Sequence, residues 1–161
     1  MTLHIERATP ADAGPISRLI HALAPAFTLH PSGQGAEGFL RSIGTEAMAG
    51  YLAAPNFAYF KGLLDGELAG VVAVRDASHL YHLFVDRKFQ GRGVARALWI
   101  HARADAQAAG NPGRFTVNST PVAVPVYERF GFRAMGPRVE MTDIAYVPMR
   151  LDSHAEGAEG R

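Results

Sequence analysis

The stretch from His79 to Trp99, HLYHLFVDRKFQGRGVARALW, leads an apolar segment into a basic loop with two glycines and then into a run of good helix formers. A helix that begins near Gly93 leaves up to four backbone N–H groups unpaired and carries about half a positive charge at that end. A phosphate placed there gains several hydrogen bonds at once. Gly91 and Gly93 let the backbone approach such a ligand, and Arg87, Lys88, Arg92 and Arg96 add cations around the same point. The chemistry these residues can do is phosphate binding. Two familiar nucleotide loops fit poorly: Gly93 is followed by Val94 and Ala95 where a P-loop needs Lys and Ser or Thr, and the strand follows a meander instead of opening a βαβ unit. A glycine-broken turn with a solvated basic face is the plain alternative.

These residues need a frame. Leu3, Ile5 and Arg7 alternate as a short strand, and Pro10 with Asp12 opens a segment with helically spaced Ile16, Leu19, Ile20 and Leu23. Prolines and glycines interrupt residues 24–55, which predicts short helices in a mobile cover. Residues 57–64 and 68–74 flank Asp65-Gly66, a dipeptide suited to a tight hairpin, and residues 79–85 extend the sheet. Residues 94–109 read as a helix with Val94, Ala97, Leu98 and Ala102 on one face and Arg92, Arg96, Trp99 and Arg103 on another. A strand at 115–118 precedes Thr120-Pro121, an N-cap and first-turn proline, and a short helix kinked at Pro125 runs to Phe130. Gly131 ends it, and 132–151 holds two further strand-like stretches, the clearer at 144–151. The order predicts an α/β fold with a mixed, mostly antiparallel sheet flanked by helices.

The chain has 161 residues, 48% hydrophobic and 19% charged, the balance of one compact domain. A chain of this size removes roughly 70% of its unfolded surface from water, enough for a core without cross-links. It has no cysteine, which excludes a disulfide framework, an iron–sulfur cluster and a cysteine nucleophile, and a cytoplasmic location is expected. A net charge of +1 provides no global field for a polyanion, and the basic residues gather at one loop, so no nucleic-acid partner is expected. Nor is a membrane: no apolar run approaches the 18 or so residues of a span, and the first ten residues lack a signal-peptide core. His21, His30 and His101 have no ligand spacing, and no metal is assigned. Residues 1–151 read as a single domain, and 152–161 (DSHAEGAEGR) as a flexible tail.

Gln90-Gly91-Arg92-Gly93-Val94-Ala95 is similar to the Q/R-x-x-G-x-G/A signature of the GNAT superfamily, the acyl-CoA-dependent N-acetyltransferases. Residues 118–132, NSTPVAVPVYERFGF, resemble that family's late strand–helix motif. The resemblance spans residues 3–151, although 24–55 match in little beyond length. It implies a GNAT fold, acetyl-CoA as cosubstrate, and direct transfer of the acetyl group to a primary amine of a small molecule or protein in a ternary complex. With no cysteine, an acyl-cysteine intermediate is impossible. By the same resemblance, the backbone of Gln90 to Ala95 holds the pyrophosphate of coenzyme A, aided by Arg87 and Arg92. The strand end Leu83-Phe84-Val85 pairs with the pantetheine arm, and a bulge near Phe84 or Val85 offers a backbone N–H to the thioester carbonyl. Asn118 or Thr120 bonds the pantetheine amides, unless Thr120 only caps its helix. Homodimers are common in the family.

Tyr127 resembles the family tyrosine that protonates the departing thiolate; its plain alternative is packing with Val122, Ala123, Val126 and Phe130. An alkyl ammonium titrates near ~10 and must lose a proton before attack, so a base is useful. Many family members carry a glutamate on the strand matching residues 79–85, and no carboxylate occurs there. His79 stands where base residues often sit, and alternation puts Tyr81 and Leu83 on its face and His82 on the other. Either imidazole could relay a proton at neutral pH, or His79 is a strand-end polar group and His82 a sheet-face one. Without a base, the domain would be a non-catalytic acyl-CoA sensor or binding module. Phe27, Phe39, Tyr51 and Phe57 suggest apolar walls for the acceptor, or core.

Overall fold

The computed structural model describes residues 2–26, 35–140 and 144–152; Phe27, His30 and residues 153–161 lie outside the described residues. The first half forms β1 (Leu3–Arg7), a 3-10 turn (Pro10–Asp12), α1 (Ala13–Leu23), a second such turn (Ala24–Ala26), α2 (Glu37–Ser42) and α3 (Thr45–Ala53). A meander follows, β2 (Phe57–Leu64), β3 (Glu67–Arg75) and β4 (His79–Val85). Then come α4 (Val94–Ala108), β5 (Arg114–Ser119), α5 (Val124–Arg129), β6 (Arg133–Ala134), β7 (Val139–Glu140) and β8 (Ala145–Asp152).

The described strands lie in the order β1-β2-β3-β4-β5-β8-β6, with β7 beside β8. Neighbours are antiparallel except β4 and β5, which run parallel. This is the mixed, mostly antiparallel sheet the sequence predicts. The β2–β3 turn has Asp65 at φ 52° and Gly66 at φ 82°, the doubly left-handed geometry that Asp-Gly supplies. The centre of β3 is buried on both faces, which is why it reads as a continuous apolar run. Val71 and Ala73 belong to a core with Ile16 and Ile20 of α1 and Met48 of α3, whereas Val72 and Val74 belong to one with Leu98, Trp99 and Ala102 of α4. Asp12 ties α1 to β2, its carboxylate receiving the Thr9 N–H at 2.9 Å and Lys61 Nζ at 2.8 Å.

Three local expectations change, and a fourth gains detail. The short helices expected in 24–55 are found as α2 and α3, and fully buried Ile43 and Met48 anchor this segment to the core. Trp99, grouped with the arginines of α4 and expected to pack on its own helix, does pack but belongs to the buried stripe: it is 1% exposed and lies against Phe115 and Phe132. Pro125 does not kink a longer helix. A 3-10 turn (Pro121–Ala123) precedes α5, and Pro125 falls in the first turn of α5, where a missing N–H costs nothing. Residues 132–151 carry three strands rather than two, and β8 runs one residue past the expected domain end.

Gly70 lets β4 and α4 close on β3. A Cβ there would stand 2.8 Å from the Phe84 carbonyl oxygen and 3.0 Å from Leu98 Cδ1. The Gly70→Ala variant should lose about 1–3 kcal/mol by overpacking, read as a lower urea midpoint with an unchanged slope. An unchanged midpoint would contradict this packing.

Candidate active site

β4 and β5 pair only at His79 with Thr116 and Leu80 with Val117, and then part. The reason lies in β4. Ala73 pairs with His82 and Val74 with Leu80, so Tyr81 is an extra residue, a β-bulge at the point of separation. A bulge bends its strand and strengthens the local twist. The expected bulge near Phe84 or Val85 is therefore found at Tyr81. Beyond it, a cleft of about 210 Å³ opens between the strands. Tyr81, Leu83, Phe84 and Val85 line it from β4, and Asn118 and Thr120 from β5 and the turn after it. Backbone groups of these segments that no longer pair with each other can serve a ligand's amides.

The loop after β4 is fastened at both ends. Asp86 accepts the Lys88 N–H at 3.1 Å, and the Gln90 side-chain amide donates to the Val85 carbonyl at 3.0 Å. The Gln90 side chain thus holds the loop to the strand as well as lining the cleft. Gly91 and Gly93 adopt φ of 78° and 81°, with nothing within 4 Å of where a Cβ would stand. Their backbone angle demands glycine, and their surroundings leave the main chain open to a ligand. The first internal bond of α4 runs from Ala97 N–H to the Gly93 carbonyl at 3.1 Å. The amides of Val94, Ala95 and Arg96 precede it and have no partner from the helix itself. The Val94 side chain is buried, so its contribution is backbone only. Of the basic residues, Lys88 pairs with Glu67 and Arg92 lies 5.8 Å from the Phe89 ring centre. Arg87 and Arg96 have no ion-pair partner among the described residues.

Tyr127 is set in place by a helix ending. Gly131, at φ 102°, turns the chain so that Phe132 N–H reaches the Tyr127 carbonyl and Gly131 N–H the Glu128 carbonyl, both at 3.0 Å. That ending brings the Phe132 ring to 5.7 Å from the Tyr127 ring, with Phe130 at 6.1 Å. Val122, expected in this packing, is exposed instead. Tyr127 lines the cleft, and its hydroxyl has no hydrogen-bond partner among the described residues. Burial pushes the phenol above its ordinary value, so it stays protonated at neutral pH. Thr120 makes no side-chain cap, which leaves its hydroxyl available at the cleft.

The two histidines are not in the cleft wall. His79 stands at the closed end, where Nδ1 lies 2.7 Å from Thr116 Oγ1. Burial, seconded by the Arg75 cation, lowers its basicity. His82 is buried, with Nδ1 2.9 Å from the Tyr59 hydroxyl, and burial pushes it down to about 3. This is the only hydrogen bond of either side chain among the described residues, and its direction follows the imidazole tautomer. An imidazole held neutral in this way is a poor base for an alkyl ammonium, which weighs against the base role expected of His82 and for the sheet-face role the sequence also allows. Because the bulge interrupts alternation, His82 shares a face with Tyr81, and their rings lie 4.5 Å apart. Tyr51 and Phe57, candidate acceptor walls, pack on Tyr81 at 5.3 Å and 5.1 Å, and Phe39 lies in the same core layer.

The structure thus brings Phe84, Val85, Gln90, Asn118, Thr120 and Tyr127 to one cleft beside the 87–96 loop. Tyr81 and Ala123 also line it and were not singled out by their types. A bulge leaves no mark in composition, so only the pairing register reveals Tyr81. Among the described residues, no group of three or more His, Asp or Glu could hold a metal, and no helix is long and apolar enough to cross a membrane.

Residues 27–153 match the family described as Acetyltransferase (GNAT) domain, and the chain belongs to that family. It is 32% identical over 94 residues to N-acetylaspartate synthetase of Rattus norvegicus and of Homo sapiens, a match covering 53% of this chain and 31% of either relative. The chain therefore spans under a third of the length of these curated relatives. Its fold is similar to that of a GCN5-related N-acetyltransferase from Rhodopseudomonas palustris, with TM-score 0.78, 19% identity, and coverage of 94% of this chain and 96% of that one. It is also similar to PaiA N-acetyltransferase from Thermoplasma acidophilum, solved with coenzyme A, with TM-score 0.73, 13% identity, and coverage of 94% and 99%. The ribosomal-protein-S18-alanine N-acetyltransferase of Escherichia coli follows with TM-score 0.66, 16% identity and 93% of each chain. At such identities the likeness establishes the fold.

The buried His82 makes stability depend on pH. In the unfolded chain an imidazole titrates near ~6.5, so below that pH the unfolded state binds a proton that the fold refuses. The contribution is complete above pH 6.5 and is lost as pH falls toward about 3. Urea unfolding should show stability declining below pH 6.5 by up to about 1.4 kcal/mol per unit, and His82→Gln should flatten the decline. The same slope in the variant would place the titration elsewhere.

Proposed function

We propose that the protein is an acetyl-CoA-dependent N-acetyltransferase acting on a primary amine by direct attack. The observation that carries this reading is the parting of β4 and β5 into a cleft lined by Gln90, at the head of the glycine loop, and by Tyr127. The residues present fit acetyl-CoA. The open amides at the start of α4, with Arg87 and Arg96, suit its pyrophosphate, and the separated strand edges suit its amide arm. When bound, it supplies a thioester carbonyl open to attack.

In the transfer a C–N bond forms, the C–S bond breaks, and one proton passes in net from nitrogen to sulfur. Tyr127 holds a proton where the thiolate would develop. Because its phenol is a weaker acid than a thiol, which titrates near ~8.5, it acts chiefly by donating a hydrogen bond, and any tyrosinate formed recovers its proton at once. No described side chain of the cleft wall is a carboxylate or an imidazole. The amine's own neutral fraction, or water, then serves in place of a base. That same feature favours a second reading, a non-catalytic acyl-CoA sensor. The acceptors in the names of the relatives, aspartate and an alanine of a ribosomal protein, make amino acids and peptide amines the first acceptors to try.

Release of coenzyme A thiol from acetyl-CoA with an amine panel separates the two readings: amine-dependent release supports the enzyme, and tight binding without release supports the sensor. Tyr127→Phe should lower kcat by about 10²-fold while leaving acetyl-CoA affinity unchanged. Full turnover in that variant would remove Tyr127 from the mechanism.

A further inference from the structure

The hydroxyl of Tyr81 belongs to a hydrogen-bond chain whose polarity is forced. Tyr81 donates to the Tyr51 hydroxyl at 3.2 Å, and Tyr51 donates to the Ser42 carbonyl at 2.9 Å. A carbonyl can only accept, so the Tyr51 proton must point at Ser42. The Tyr51 oxygen then accepts, and the Tyr81 proton is committed to it. Burial pushes the Tyr51 phenol above its ordinary value, which keeps its proton on the bond to the Ser42 carbonyl. Tyr81 is left with lone pairs alone to offer.

The ring that carries this oxygen is held on several sides. Tyr51 and Phe57 lie 5.3 Å and 5.1 Å away, and the Arg75 guanidinium lies 5.4 Å from its centre. Tyr81 lines the cleft together with Leu23 and Ala26, and it packs in the layer of α1 and α3. Tyr127 belongs to the opposite layer. A nucleophile entering on the Tyr81 side and a leaving group met by Tyr127 would use different faces of the sheet.

We propose that Tyr81 is the acceptor-binding residue of this site, its hydroxyl oxygen receiving an N–H of the substrate amine and orienting the nitrogen lone pair for attack. The assignment rests on the acetyltransferase reading and adds to it which side of the cleft the amine uses. It also defines what Tyr81 does not do. Its chain ends at a peptide carbonyl, which cannot take up a proton, so Tyr81 orients the amine and does not deprotonate it. The site accordingly selects acceptors that can donate, amines with at least one N–H, over tertiary amines of the same shape.

The test uses L-aspartate, spermidine and an alanine-initiated peptide as amine probes with the full chain, following thiol release, while calorimetry measures acetyl-CoA affinity. With the best of the three, Tyr81→Phe should raise the amine KM about tenfold, the loss of one hydrogen bond, with kcat changed far less and acetyl-CoA affinity unchanged. Tyr51→Phe, altered outside the cleft wall, should also raise the amine KM, because Tyr81 is then free to turn its own proton toward the amine. An unchanged amine KM in either variant overturns the assignment while leaving the acetyltransferase reading intact. No release by the unaltered protein with any of the amines overturns both.

Discussion

Two parallel strands that stop pairing after Leu80 and Val117 are the constraint on which the rest of this molecule depends. Interrupting a sheet in its middle is costly, because backbone N–H and C=O groups left without partners in a buried place lose the hydrogen bonds they had with water. The protein confines that cost to a short stretch. β4 stays paired with β3 through Val85, and β5 stays paired with β8 through Ser119, so each strand keeps one complete edge while the other faces the cleft. The bulge at Tyr81 starts the divergence, and Gly70 lets β3 approach β4 where a side chain would meet the Phe84 carbonyl.

Polar groups gather around that gap from different elements. The open amides at the start of α4 are reached through two glycines in left-handed geometry, and the Gln90 side chain braces the loop on Val85. Tyr127 takes its position from a helix ending on Gly131 and from the aromatic contact of Phe132. In the layer of α1 and α3 lie Tyr81, Tyr51, Tyr59 and His82, hydrogen-bonded in pairs and, through Tyr51, to Ser42. Under the proposed function they supply an anion site, a neutral proton donor and a lone-pair acceptor for transfer from a phosphate-bearing thioester to an amine.

Much of this was legible in the residues. Asp65-Gly66 announced its hairpin, Gly91 and Gly93 announced the loop before α4, and Gly131 announced the helix end that carries Tyr127. In each case a local backbone requirement selects the residue type. What escaped depends on partners distant in the chain. Whether β4 and β5 pair along their length, and where β4 bulges, is set by register against β3, so Tyr81 looked like one more alternating aromatic and His82 seemed to face away from it. Trp99 looked polar-faced because α4 is covered by both β3 and the segment from Phe115 to Phe132, which widens its buried stripe beyond the usual arc. Pro125 looked like a kink because a 3-10 turn and a short helix share the composition of a single bent helix.

The central claim is that acetyl-CoA lies between β4 and β5 with its phosphates at the start of α4. Backbone amide NMR during an acetyl-CoA titration tests it most directly. The account predicts that the largest shifts fall on residues 91–96, on 81–85 and on 118–120, with little change in β1 and β2. Binding that moves other amides and leaves those three segments still would contradict it.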